Sequence, residues 1–394
     1  MNLSPSQRQF IRQHENENVR DLALRFSRDD LPLLLAQIKG RQTAKHKIPS
    51  WYENNAVIYP ATLSMEQSSS ELTARYKASL LPRGKERFAD ISGGLGVDFY
   101  FLSQQFEQAV YVEQNQELCE IVQHNFSALG LKNTAIENAQ CEDFLRKTTK
   151  LDVIFADPAR RDDIGRKVFK IEDCTPDIAQ LKSVLLEKSD WVMIKYSPML
   201  DISLAVNTFG CVREVHIVSV NNECKELLFL LTKENCDCIY HTINIKKSGA
   251  IESFSFSPES ERQIEPEYTS QLGIYLYEPN ASILKAGGFN SVSKSFQLIK
   301  LHKHSHLYTS DALIPDFPGR TFTVQNWFLP NKQNIRKFAL STKKSNVSVR
   351  NFPVTVNEIR KKTGIREGGD VFLFATTLCN NEKIWVMCEK TVIL

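Results

Sequence analysis

Phe88-Ala-Asp-Ile-Ser-Gly-Gly-Leu-Gly-Val-Asp98 is the stretch whose reading decides the fold. It reads as an apolar strand ending on Asp90, a tight turn through Ser92, Gly93, Gly94 and Gly96, and a helix opening at Val97. Glycine lacks a Cβ, so such a turn can take positive φ and leave the N–H groups at the helix start free for a polar ligand. Three carboxylates accompany it: Asp90 before the turn, Asp98 just after it, and Glu113 closing the next apolar run, Ala109-Val-Tyr-Val-Glu113. A carboxylate at the end of the second strand suits a ribose diol. The plainer alternative is an ordinary strand-to-helix turn; the paired acidic residues favour a ligand cradle.

Working outward, short apolar strands alternate with helical patterns from Arg87 onward. Strands are expected at 87–91, 108–113, 134–138, 151–156, 190–196, 211–220 and 224–233, and helices at 97–106, 115–129, 140–148 and 175–188. Alternation of this kind predicts an α/β fold: a parallel sheet covered on both faces, with ligands at the carboxyl ends of its strands. Asn221-Asn-Glu223 is short enough to join the last two strands as an antiparallel hairpin at the sheet edge.

Upstream, residues 1–59 form a helical region with apolar positions near helical spacing, and Pro32 behind Asp29-Asp30 fits the first turn of a helix. Its basic run, Lys39 to Trp51, suits either phosphate contact or a solvated helix end with an anchoring Trp. Ser68 to Ser70 can cap the helix leading into the glycine stretch, which makes Glu66, Gln67, Ser68 and Ser69 candidate ligand contacts. The alternating domain spans 60–235. Beyond it lie a connecting region, 236–323, with helices near 281–286 and 292–299, and a small basic α+β module, 324–394.

Composition narrows the partners. Nine cysteines lack any Cys-x-x-Cys spacing, which predicts reduced thiols and no structural zinc site. His302, His304 and His306 alternate as on a strand face, and solvated side chains fit them better than a metal does. The net charge is +3, but residues 326–394 hold twelve Lys or Arg against five Asp or Glu. That module carries +7 and the remainder −4. A basic module on a near-neutral body suggests a polyanionic partner. Apolar runs such as Leu227–Leu231 are too short to span a bilayer, and the polar start lacks a signal-peptide core, so a cytoplasmic location is expected.

The fourth strand ends in Asp157-Pro-Ala-Arg-Arg161. A carboxylate, a proline-fixed bend and two guanidinium groups would then stand over the crevice beside the glycine turn. Asp157 is the first choice for positioning an acceptor. Arg160 and Arg161 could grip a phosphate or a nucleobase edge, or pair with Asp162, Asp163, Glu172 or Asp173. Cys224 and Cys141 are conceivable nucleophiles, but packing thiols are the better reading for both.

Together these motifs resemble the class I S-adenosyl-L-methionine-dependent methyltransferases over roughly residues 60–233. Gly-Arg-Gln at 40–42, Lys195-Tyr-Ser-Pro-Met199, Glu223-Cys-Lys-Glu226 and Val349-Arg-Asn-Phe-Pro353 are similar to the bacterial members that carry a C-terminal THUMP-like domain, with a small ferredoxin-like domain before it. The resemblance implies a Rossmann-like sheet of seven strands, the last one antiparallel. It assigns Asp90, Ser92, Gly93, Gly94, Gly96 and Asp98 to the cofactor's methionine and ribose, Glu113 to the ribose hydroxyls, and Gln140, Cys141 or Asp143 to the adenine. Asp157, Pro158, Arg160 and Arg161 form the acceptor-side motif, which lacks the aromatic of the related Asp-Pro-Pro-Tyr motif. The resemblance implies RNA base methylation, on ribosomal or transfer RNA, with no membrane and no metal. Competing readings are a methyltransferase for another acceptor, a non-catalytic RNA-binding protein on this fold, and an NAD-dependent oxidoreductase. The last expects a third glycine where Phe99 stands.

Overall fold

The computed structural model describes residues 3–60, 65–160, 171–234 and 236–391. The chain divides into two compact units: Met1–Val215 with Glu226–Cys236, and His216–Lys225 with Asp237–Leu394.

The first unit opens with α1 (Pro5–His14), α2 (Val19–Arg25), α3 (Leu31–Lys47), α4 (Pro49–Glu53) and α5 (Glu71–Ser79). Ser70 caps α5 by accepting the Thr73 N–H, as the serine run predicts. The basic run of α3 is used internally only in part, since Lys39, Lys45 and His46 are exposed. Arg41 pairs with Glu15 at 3.0 Å and lies over the Tyr52 ring, Lys47 donates to the Met65 carbonyl, and Trp51 is fully buried.

The alternating region follows as β1 (Arg87–Asp90), α6 (Val97–Ser103), β2 (Gln108–Glu113), α7 (Gln116–Ala128), β3 (Thr134–Asn138), α8 (Cys141–Lys147) and β4 (Val153–Ala156). It continues through the short β5 (Ala159–Arg160) and β6 (Cys174–Thr175), then α9 (Ile178–Lys188), β7 (Trp191–Tyr196), α10 (Ile202–Phe209), β8 (Val212–Val220) and β9 (Glu223–Leu231). Val153-Ile-Phe-Ala156 is buried throughout, the continuous apolar run that a two-sided parallel strand requires. These strands lie in the order β8-β9-β7-β4-β1-β2-β3 within a sheet of nine strands, two more than the seven expected, the further two lying beyond β8. β1 pairs in parallel with β2 and β4, β4 pairs in parallel with β7, and β9 runs antiparallel to β7.

The antiparallel strand is therefore not at the edge, as the short Asn221-Asn-Glu223 link suggested; β9 inserts between β7 and β8. Its apolar side chains, Leu227 to Leu231, demand cover on both faces, which an interior strand provides. Chain order reverses between β1 and β4, so the carboxyl ends of these two strands flank a topological switch point, where open α/β sheets bind ligands.

The second unit contains β10 (Ile239–Ile245), β11 (Ile251–Phe256), α11 (Pro258–Gln263), β12 (Tyr275–Pro279), α12 (Ala281–Ala286), α13 (Phe289–Ser295), β13 (Ile299–Lys300) and β14 (Tyr308–Ser310). Then come β15 (Gly319–Phe328), α14 (Lys332–Ser341), β16 (Asn346–Val349), α15 (Val356–Thr363), β17 (Val371–Thr377) and β18 (Lys383–Lys390). A seven-stranded sheet, β13-β14-β12-β15-β18-β17-β16, takes strands from both sides of residue 324. Leu276, Phe322, Phe374 and Val386 form one core beneath it, and Ile335, Phe338, Ile359 and Trp385 form another with α14 and α15. Arg350 of the Val349–Pro353 motif joins Arg320 in clamping the buried Glu278, with two Arg350 bonds at 3.0 and 2.8 Å. The expected helix at 292–299 begins earlier, at Phe289, and ends before Ile299 enters β13. His302 and His304 sit in a turn, not on a strand, and His302 is buried with Nδ1 facing the Asn351 amide and the His304 N–H.

Candidate functional site

The glycine turn is shaped by what surrounds it. A Cβ on Gly93 would come within 2.2 Å of the Tyr111 ring, and Gly96 adopts φ +78° with the Phe126 ring 2.9 Å from where its Cβ would be. Those two glycines are fixed by packing and backbone conformation. Gly94 differs: it takes φ +55°, and nothing lies closer than 3.7 Å to its missing Cβ. The turn thus leaves open space at Gly94. Tyr111 braces it from below, donating its hydroxyl to the Gly94 carbonyl at 2.5 Å.

Glu113, at the end of β2, ties the turn to the next connection. One carboxylate oxygen accepts the Gly94 N–H at 3.0 Å and the other accepts the Asn115 N–H at 2.9 Å. A carboxylate offers about four lone-pair sites, so roughly two remain for a pair of hydroxyl donors. The Glu113 carbonyl accepts from Ala139 N–H at 3.2 Å and from the Asn138 side chain at 3.0 Å, which brings the start of α8 alongside.

Asp90 closes β1 and is 2% exposed. Its Oδ1 accepts the Ser92 N–H at 3.0 Å, and the Ser92 hydroxyl in turn accepts the Asp157 N–H at 2.6 Å. The cofactor-side turn and the loop after β4 are thereby joined through one serine. Burial, reinforced by the charges of Asp98 and Asp157, pushes the Asp90 carboxyl up to about 8 against the pull of the Ser92 hydrogen bonds.

Beside these lies an ion network that pattern reading missed. Lys77 of α5 is fully buried and reaches both carboxylate oxygens of Glu226 at 2.6 and 2.8 Å, and Asp98 at 3.1 Å. Lys195, at the carboxyl end of β7, contacts Asp157 at 2.6 Å, Asp98 at 3.2 Å and the Ser69 hydroxyl at 2.9 Å. Ser69 donates to Asp98 at 2.7 Å. Burial opposes charge on Asp98, but the ammonium groups of Lys195 and Lys77 outweigh it and hold that carboxyl well below the usual range.

The structure therefore brings Asp90, Ser92, Gly93, Gly94, Gly96, Glu113 and Asp157 to one crevice. Asp98 is 8% exposed and committed to the two lysines, which places it behind the turn as a support and not as an open ligand contact. Ser69 has the same fate, while Ser68 turns back to the Met65 carbonyl and Glu66 pairs with Lys39. Gln140 is exposed at the start of α8, Cys141 is buried with its thiol pushed up, first by burial, and Asp143 points outward to Arg146. Pro158 is buried, and the strand β5 that follows pairs with β6. Arg161 lies outside the described residues, as does the Arg160 side chain. None of the nine cysteines forms a disulfide.

The site residues fit an S-adenosylmethionine-type ligand. The space at Gly94 admits a backbone-hugging group, Glu113 retains acceptor capacity for a diol, and Asp90 is a buried acid that a ligand ammonium would let ionise. A separate cleft of about 420 Å³, lined by Lys85, Arg87, Lys150, Asp152, Asp190 and Trp191, lies at the opposite, amino end of the strands.

Comparison with known proteins bears on this geometry. Residues 83–221 match the family described as conserved hypothetical protein 95, residues 275–318 a ferredoxin-like domain, and residues 319–390 a THUMP domain-like family. The crystal structure of the "putative methyltransferase from Porphyromonas gingivalis W83" is 30% identical, with each chain covered over 100% of its length and a TM-score of 0.88. Precorrin-6y C5,15-methyltransferase from Geobacter metallireducens is 11% identical over 43% of this chain and 91% of its own, with a TM-score of 0.34. An rRNA methylase from Streptococcus thermophilus is 13% identical over 41% and 95%, with a TM-score of 0.31. No curated protein sequence matches. Sheet and crevice define the class as a methyltransferase fold. The chain belongs to the methyltransferase family of the Porphyromonas gingivalis protein, and in this chain the THUMP domain-like region follows the methyltransferase fold.

Proposed function

We propose that the protein is an S-adenosyl-L-methionine-dependent methyltransferase that modifies a base in RNA. The observation that carries this reading is the Glu113 carboxylate holding the Gly94 N–H at 3.0 Å beside the buried Asp90, an arrangement suited to a nucleoside that bears an amino-acid arm. Asp90 takes the amino group, the Ser92–Gly96 backbone follows the amino-acid arm, Glu113 binds the ribose hydroxyls, and Gln140, Cys141 and Asp143 border the base. When bound, the cofactor supplies a methyl group activated on a sulfonium. The protein's part is to align the acceptor atom, exclude water and manage the acceptor's proton. Asp157 orients the acceptor, Pro158 fixes the bend beneath it, and Arg160 and Arg161 take a phosphate or base edge.

The RNA acceptor is supported by the THUMP-like match and by the +7 charge of residues 326–394. Full-length protein given labelled S-adenosylmethionine and total RNA should transfer label to RNA, and Asp157→Ala should abolish the transfer. Labelling of protein or small molecules but not RNA would overturn the acceptor assignment. Calorimetry that detects NAD but not S-adenosylmethionine would overturn the class of reaction.

A further inference from the structure

Among the described residues, the network behind the crevice has a charge imbalance. Lys77 and Lys195 supply two ammonium groups, whereas Asp98, Glu226 and Asp157 supply three carboxylates. Lys77, Lys195, Asp98 and Glu226 are each less than a tenth exposed, while the Asp157 side chain is 39% exposed. The surplus negative charge is therefore presented at Asp157, where the crevice meets solvent. Paired buried charges rarely improve stability over apolar packing of the same volume, so stability alone does not account for the arrangement.

We propose that Lys195 is a positioning residue for methyl transfer: anchored by Asp98 and Ser69, it keeps Asp157 ionised and fixed, so that the crevice presents a permanent negative charge to the transferring methyl and its acceptor. This inference rests on the methyltransferase reading above. Lys195 occupies one Asp157 oxygen at 2.6 Å, and Ser92 holds the Asp157 backbone at 2.6 Å, so side chain and backbone are pinned from different strands. Burial works against the Lys195 ammonium, but Asp157, Asp98 and Glu226 outweigh it and raise it above the ordinary lysine range. Burial, helped by Asp98, pushes the Asp157 carboxyl above its ordinary range, and Lys195 is the strongest pull against that rise; among the described residues Asp90, across the turn on β1, also faces Asp157. A fixed charge of this sign favours a neutral or cationic acceptor atom and disfavours an anionic one.

The test compares two cofactor analogues by calorimetry on the full-length protein. Sinefungin carries an amine at the methyl position, whereas S-adenosylhomocysteine has neither group; both share the amino-acid arm, so effects at Asp90 cancel in the ratio of their dissociation constants. Wild type and Lys195→Arg should favour sinefungin by a ratio that stays flat from pH 6 to 8. In Lys195→Met the preference should fall on acidification by about tenfold, the effect of moving the Asp157 titration about one unit into this range. Asp157→Asn should bring the ratio near one at both pH values. A flat ratio in a folded Lys195→Met protein overturns the inference while leaving the methyltransferase reading intact. Should that variant not fold, a wild-type ratio that falls between pH 8 and 6 overturns it equally. If wild type binds neither analogue, the methyltransferase reading fails and the inference falls with it.

Discussion

Asp90 carries a titration with a direction that can be worked out. Its folded carboxyl is pushed up to about 8, first by burial, whereas an unfolded aspartate titrates near 3.9. Between those values the folded chain holds a proton that the unfolded chain has released, so this residue makes stability fall as pH rises, by about 1.4 kcal/mol per pH unit. Asp90→Asn should remove that dependence, and calorimetric melting should find the variant's advantage over wild type larger at pH 8 than at pH 5. The same substitution should weaken S-adenosylhomocysteine binding by at least about tenfold, because the ligand ammonium loses the one charge placed for it. An equal melting difference at both pH values would refute the titration. Asp90, Glu113 and Asp157 are legible in the sequence because each closes its own strand, or directly follows it, at the carboxyl end. The commitment of Asp98 is not legible there, since its partners Lys77 and Lys195 come from a distant helix and strand that only the folded sheet brings together.

At the scale of elements, local pattern serves the strands best. The continuous apolar runs of β4 and β7 and the alternation around β2 fix their positions to within a residue or two, because burial on both faces leaves little freedom of register. α10 is hidden in the sequence although Asp201 caps it by accepting the Leu204 N–H, since its apolar run resembles the strands on either side. The histidines at 302 to 306 imitate strand alternation within a turn. α5 shows how one element secures the site: Lys77 links it to α6 through Asp98 and to β9 through Glu226. Lys77→Ala leaves two buried carboxylates short of a partner and should cost about 3–5 kcal/mol in denaturant unfolding. Lys77→Met combined with Glu226→Gln removes one charge of each sign and should recover most of that loss. If the double variant is as unstable as Lys77→Ala, the ion pairing is not what joins α5 to the sheet.

For the whole molecule, the two units divide chemistry from charge. The crevice at the switch point of the first unit carries groups suited to a nucleoside cofactor, whereas Lys343, Lys344, Lys361 and Lys362 are exposed in the second. The arginines nearest the family motif are not available for this purpose, because Arg320 and Arg350 are paired with Glu278. Phosphate binding through lysines is a counterion-release effect, so it should appear as a steep dependence of affinity on salt. Replacing the four lysines together by glutamate should weaken binding to total RNA by at least about tenfold at moderate salt. It should also flatten the log–log salt plot by roughly 0.7 for each single-strand phosphate that the lysines no longer neutralise. S-adenosylhomocysteine affinity, which depends on the other unit's side chains, should not change. If RNA affinity and salt slope also stay the same, the basic module does not bind RNA, and the acceptor must be recognised at the crevice itself.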